Sequence, residues 1–226
     1  MNTRGHIMTG AIIGDLATGT AELSTYGLTL LGLYKIGMGP SDLQQSKTEL
    51  AHFMARHSSG AYAVPIFLSG VILTSWKVCS HQDLLRKLPS KLKNDKECFY
   101  IRYLIPVISN LLQGKSKKEA ICDQENDLII EKLIGWYHDR TPVRWDLMMT
   151  YVSFAWDCFE RSRDFTSALH NAMQCPADKH LAGFLTGAIA EAMYGCRQYP
   201  LKINVPELDN IVSDMRKYEE EETWKR

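Results

Sequence analysis

Along this chain apolar residues recur three and four positions apart rather than two, the spacing of one helix face. Leu43, Leu50, Phe53 and Met54 share a side of a helix over 43–56, after Pro40-Ser41-Asp42, where Ser41 is placed to cap it. Ile66, Phe67, Val71 and Ile72 mark a second helix over 65–78, and a third runs over 100–113. Gly114 follows the third where a left-handed C-cap belongs. Ser116 then caps a helix over 116–122, which continues or restarts through 128–136. Residues 146–160 are amphipathic, with Met149, Val152, Phe154, Trp156 and Phe159 as apolar members. Asp164 caps a helix over 164–173. Residues 181–194 are rich in small side chains (Ala182, Gly183, Thr186, Gly187, Ala188, Ala190), which admit a neighbouring backbone, so this helix is expected at the centre of a bundle. A last helix over 206–217 turns Leu208, Ile211 and Met215 inward, and 218–226 frays. Alternating β-branched runs and Asn-Gly or Asp-Gly hairpins are missing. The pattern predicts an all-α orthogonal bundle, one domain over 1–226.

Composition adjusts this picture only slightly. Hydrophobic residues make up 45% and charged residues 23% of 226, as in ordinary globular proteins. Lys plus Arg equals Asp plus Glu at 26 each, so no global field recruits nucleic acid or an anionic membrane. The basic run 86–96 and the acidic run 219–222 read as solvated faces. The longest apolar stretch, 28–38, is interrupted by Tyr34 and Lys35 and is too short to span a bilayer. Six cysteines stand far apart with no C-x-x-C pair, and the start lacks the small-residue cleavage site of a signal peptide. Reduced thiols and a cytoplasmic location are expected.

Familiar catalytic signatures are missing: no G-x-S-x-G elbow, P-loop, H-E-x-x-H or dinucleotide fingerprint. Two segments stand out instead. The first is Gly10-Ala11-Ile12-Ile13-Gly14-Asp15, followed by Gly19 and Glu22. The second runs from Asp164-Phe165 through Asn171-Ala172 to Asp178, then Gly187-Ala188-Ile189-Ala190-Glu191-Ala192-Met193-Tyr194-Gly195. In order and spacing they resemble the ADP-ribosylglycohydrolase superfamily, which includes the dinitrogenase reductase-activating enzymes. Gln113-Gly114-Lys115-Ser116-Lys117-Lys118-Glu119 resembles a helix junction of bacterial members. The likeness covers roughly residues 8–24 and 101–200.

The resemblance implies an all-α bundle holding two divalent cations, usually magnesium, at the mouth of an ADP-ribose cleft. In the family, an early T-D-D-T motif and a late G-G-D-x-D-T loop supply the ligands. Such density of carboxylates suits hard cations, which polarise ribose hydroxyls and orient water toward the anomeric carbon. This chain departs from that pattern. Asp178 falls on the first aspartate of the late loop, His180 on the second and Leu181 on the threonine, with Lys179 between. The early motif aligns best with Thr25-Tyr26-Gly27-Leu28, which carries no carboxylate. A family phosphate-contacting segment is represented by Ser59-Gly60-Ala61, with Val64 in place of its arginine. One or two carboxylates can hold magnesium only when substrate phosphates supply the other ligands. Two cations about 3.5–4 Å apart are beyond what remains.

The resemblance thus assigns Glu22 the catalytic role, Asp15, Ser59, Gly60 and Ala61 ligand contacts, and Asp178 and His180 what is left of a metal site. Plainer readings stand beside these. Asp178 is placed to N-cap the small-residue helix, Asp15 to bond a neighbouring backbone, and Glu22 to be a surface carboxylate. Asp178, His180 and Cys175 are also a conceivable zinc set. No bound cofactor is expected. The leading expectation is a pseudoenzyme of the family that binds an ADP-ribose-like ligand, an ADP-ribosylated protein or another protein. Its rivals are a divergent N- or O-glycosidic ADP-ribosyl hydrolase using Glu22 and Asp178, and an immunity-type inhibitor of an ADP-ribosyltransferase.

Overall fold

The computed structural model describes residues 7–18, 23–28, 30, 101–121 and 148–195, with Asn210 and Ser213. Within these, every regular element is a helix: α1 (Ile7–Thr18), α2 (Ile101–Leu112), α3 (Lys117–Ile121), α4 (Met148–Glu160), α5 (Phe165–Ala172) and α6 (Lys179–Tyr194). Residues 25–28 add a short helical turn. The all-α expectation holds for the described residues. Asn210 and Ser213 are helical and exposed, while the predicted helices over 43–56, 65–78 and 128–136 lie outside the described residues.

Helix α6 is the axis of the described core. Every residue from Leu181 to Ala192 is buried. A helix apolar and small on all sides has no solvent face to offer, so neighbours close around it. Helix α1 packs along it most extensively, and α4 and α5 pack against it as well. The buried set includes Ile7, Met8, Ala11, Ile12, Ile13 and Leu16 of α1 and Val152, Phe154, Trp156 and Phe159 of α4. Two aromatic contacts extend this core: Trp156 meets Phe159 edge-on at 5.1 Å between ring centres, and Phe159 meets Tyr194 at 5.8 Å.

The α1–α6 seam depends on glycine. A Cβ on Gly14 would run into the Gly183 carbonyl and stand 3.2 Å from the Gly187 Cα. One on Gly187 would run into the Gly10 carbonyl and stand 3.1 Å from the Gly14 Cα. The two backbones therefore touch directly, with no side chain between them.

Helix ends follow local chemistry. Gly114, at φ 83°, occupies the left-handed region after α2, and its N–H donates to the Leu111 carbonyl at 2.9 Å. Ser116 and Glu119 close a reciprocal cap on α3: the Glu119 carboxylate accepts from the Ser116 N–H (2.9 Å) and hydroxyl (2.7 Å). Those two bonds hold the Glu119 carboxyl below its ordinary value. Asp164 and Ser167 form a capping box on α5, with the Ser167 N–H 2.7 Å from Asp164 Oδ1. Asp178 caps α6, accepting from the Leu181 N–H at 3.0 Å.

Candidate functional site

The first turn of α6, the C-terminal half of α1, the turn at 23–28 and the start of α4 meet in a polar cluster. Asp15 is its centre. This carboxylate has 0% exposure, on a helix whose other buried side chains are apolar but for Thr9. Asp15 Oδ2 accepts from the Ser24 N–H (3.0 Å), the Ser24 hydroxyl (2.8 Å) and the Gly27 N–H (3.1 Å). Asp15 Oδ1 lies 2.7 Å from His180 Nδ1, which is also 3.2 Å from the Asp15 carbonyl. The Asp15 carbonyl, and its carboxylate when ionised, only accept, so in that state Nδ1 carries the hydrogen of this contact. Burial pushes the Asp15 carboxyl above its ordinary value, while the bonds from Ser24 and His180 pull it back in part.

Asp178 anchors the second half. Its Oδ1 caps α6, and its Oδ2 accepts the Tyr26 hydroxyl at 2.9 Å. The Asp178 N–H donates to the Tyr151 hydroxyl on α4 at 3.2 Å. Burial, and then the Asp178 carboxylate beside it, push the Tyr26 phenol well above its ordinary range, so it remains a donor throughout the neutral range. The Tyr26 ring stands against Phe184 at 6.3 Å, which positions the hydroxyl over the α6 N-terminus.

The structure thus brings together three of the residues singled out from sequence: Asp15, Asp178 and His180. The plainer readings of Asp15 as a backbone acceptor and of Asp178 as an N-cap describe bonds these carboxylates make. Glu22, Ser59, Gly60 and Ala61 lie outside the described residues. Ser24 and Tyr151 are additional members that sequence reasoning did not select. Nothing in the local pattern marks them: Tyr151 is 27 residues before Asp178, inside an amphipathic helix, where it reads as core.

As a magnesium pair, the described donor set fits poorly. Magnesium wants carboxylate and water oxygens in octahedral order. Here Asp178 spends one oxygen on a helix cap and the other on a phenol, and Asp15 shares its two among four donor groups. Among the described residues no group of three His, Cys, Asp or Glu is arranged to hold a metal ion. The zinc combination fares no better. Cys175 is buried, and both oxygens of Asp178 already accept hydrogen bonds within the protein.

Among the described residues, no helix is long and apolar enough to cross a membrane. Comparison of the chain with protein-family models, with curated proteins and with solved structures finds no match.

Proposed function

We propose that this chain is a cytoplasmic, divergent member of the ADP-ribosylglycohydrolase superfamily in which side-chain hydrogen bonds stand where the family holds two divalent cations, and that it acts by binding rather than by turnover. One observation supports the reading above the others. The positions that the resemblance assigns to metal ligands are bonded within the protein: Tyr26 to Asp178, and His180 to Asp15. A phenol and an imidazole donate hydrogen bonds to the carboxylates and so stabilise their charge without cancelling it, which is part of what a cation would otherwise do. Each carboxylate oxygen of Asp15 and Asp178 already has a donor within the protein, whereas hydrolysis by this family relies on cations held by free carboxylates.

The ligand proposed is ADP-ribose or an ADP-ribosylated protein, since the packing of the two end segments is the part of the family pattern retained. The test uses the purified full chain with proteins ADP-ribosylated on arginine and on serine, with and without magnesium. Free ADP-ribose should not accumulate in either case. Calorimetric titration with ADP-ribose should give binding that magnesium does not alter. Magnesium-dependent release of ADP-ribose overturns the proposal, and absence of ADP-ribose binding moves the function to a protein partner.

A further inference from the structure

The opposite end of α6 carries a second polar assembly, built on Lys117. Its ammonium donates to three backbone carbonyls at the end of α4: Phe159 at 2.7 Å, Glu160 at 2.8 Å and Ser162 at 2.6 Å. It also stands over the faces of Phe159 (4.7 Å to the ring centre) and Tyr194 (5.5 Å). The Tyr194 hydroxyl, in the last turn of α6, donates to the same Ser162 carbonyl at 3.0 Å. One side chain from a five-residue helix therefore caps the end of α4 and lies against the last turn of α6.

The match of charge and geometry is specific. The last turn of an α-helix leaves carbonyls without intrahelical donors, and the partial negative charge of the helix gathers there. Helix α4 has no basic residue of its own in its last turn. An ammonium has three donors and no acceptor, so three carbonyls satisfy it completely. The two aromatic faces add attraction for a cation. A neutral side chain of the same length would withdraw this donor from the Glu160 carbonyl and meet no such attraction. It would also withdraw it from the Phe159 carbonyl, which also accepts from Ser162, and from the Ser162 carbonyl, which also accepts from Tyr194.

We propose that Lys117 is a charge-dependent latch, in which a single ammonium holds α3 against the joined ends of α4 and α6, and neutralising that ammonium releases the segment while the α1–α6 core stays folded. With α6 16 residues long, the latch lies about 24 Å from the Asp178 end. The latch does not rest on the reading of that site, and either can fail alone.

Hydrogen exchange of the full chain tests the latch. Amide protection over 117–121 is compared for the unmodified protein, the protein acetylated on Lys117, Lys117→Met, Lys117→Arg, and Lys118→Met as an exposed neighbour. Acetylation and Lys117→Met should speed exchange over 117–121 by about tenfold or more, leaving 181–192 unchanged. Lys117→Arg should retain part of the protection, and Lys118→Met all of it. Unchanged protection after acetylation overturns the latch. Loss in Lys117→Arg equal to that in Lys117→Met also overturns it, since shape rather than charge would then govern. Should Lys117→Met not fold, Lys117→Arg decides: folded and protected supports the latch, unfolded overturns it.

Discussion

The same two helices, α1 and α6, meet in two different ways. In the middle of the seam Gly10, Gly14 and Gly187 bring backbone onto backbone, and the contact is a matter of shape. One turn further toward the α6 N-terminus the contact is polar, with Asp15 and Asp178 each shared among several donors. The seam is stable because nothing is interposed. In the polar cluster donors and carboxylates answer one another, and hydrogen bonds offset part of the cost of burying Asp15. Close packing and a buried polar cluster thus coexist on the same pair of helices, the first held by shape and the second by hydrogen bonds.

The largest expected effect breaks the seam. Gly14→Ala forces α1 away from the Gly183 carbonyl and should lower unfolding free energy by about 3 kcal/mol in urea titration. An effect well under about 1 kcal/mol would mean that the helices separate easily, and the contrast with the cluster would collapse. Next comes Asp15→Ala. It strands the Ser24 and Gly27 donors in the interior and should destabilise by about 2–3 kcal/mol, whereas a surface carboxylate at that position would barely matter.

Two N-caps sharpen the comparison further. Asp164 and Asp178 both cap helices, but only Asp178 also receives a distant hydroxyl. Asp178→Ala should therefore cost about 2 kcal/mol, against about 1 kcal/mol for Asp164→Ala, by chemical denaturation. Equal losses would reduce Asp178 to an ordinary cap.

The smallest effect is a pH dependence at Asp164. Bonds from Ser167 hold its carboxyl below the ordinary 3.8. A lowered folded-state value means that its contribution is present above 3.8 and fades as pH falls through the folded value. The gap between the unmodified protein and Asp164→Ala should accordingly narrow on acidification, and a gap that widens would contradict the capping geometry.

Much of the local structure was legible in advance. The limits of α2, α4, α5 and α6 fall within about two residues of those expected from spacing, the usual uncertainty of a frayed end. Asp164 and Ser116 cap where they were placed, and Gly114 has the left-handed conformation its position demanded. The small-residue helix is the buried centre of the described core. In the cluster, Asp15, Asp178 and His180 were identified singly, but their partners were not. Tyr26 looked like the mere replacement of a carboxylate, and Ser24, Tyr151 and Lys117 gave no signal.

The division has a physical origin. Helix periodicity, capping boxes and positive-φ glycines depend on residues within about four positions of one another, so sequence order alone determines them. The Tyr26–Asp178 bond joins residues 152 apart, the Asp15–His180 contact spans 165, and Lys117 reaches carbonyls 42 to 45 positions away. Those pairings exist only once the helices have stacked, because the stacking decides which donor faces which acceptor. Within the described core, spacing along the sequence alone placed the ends of α2, α4, α5 and α6 and the burial of α6. The tertiary structure alone decided that a phenol answers one carboxylate, an imidazole the other, and an ammonium from α3 the end of α4.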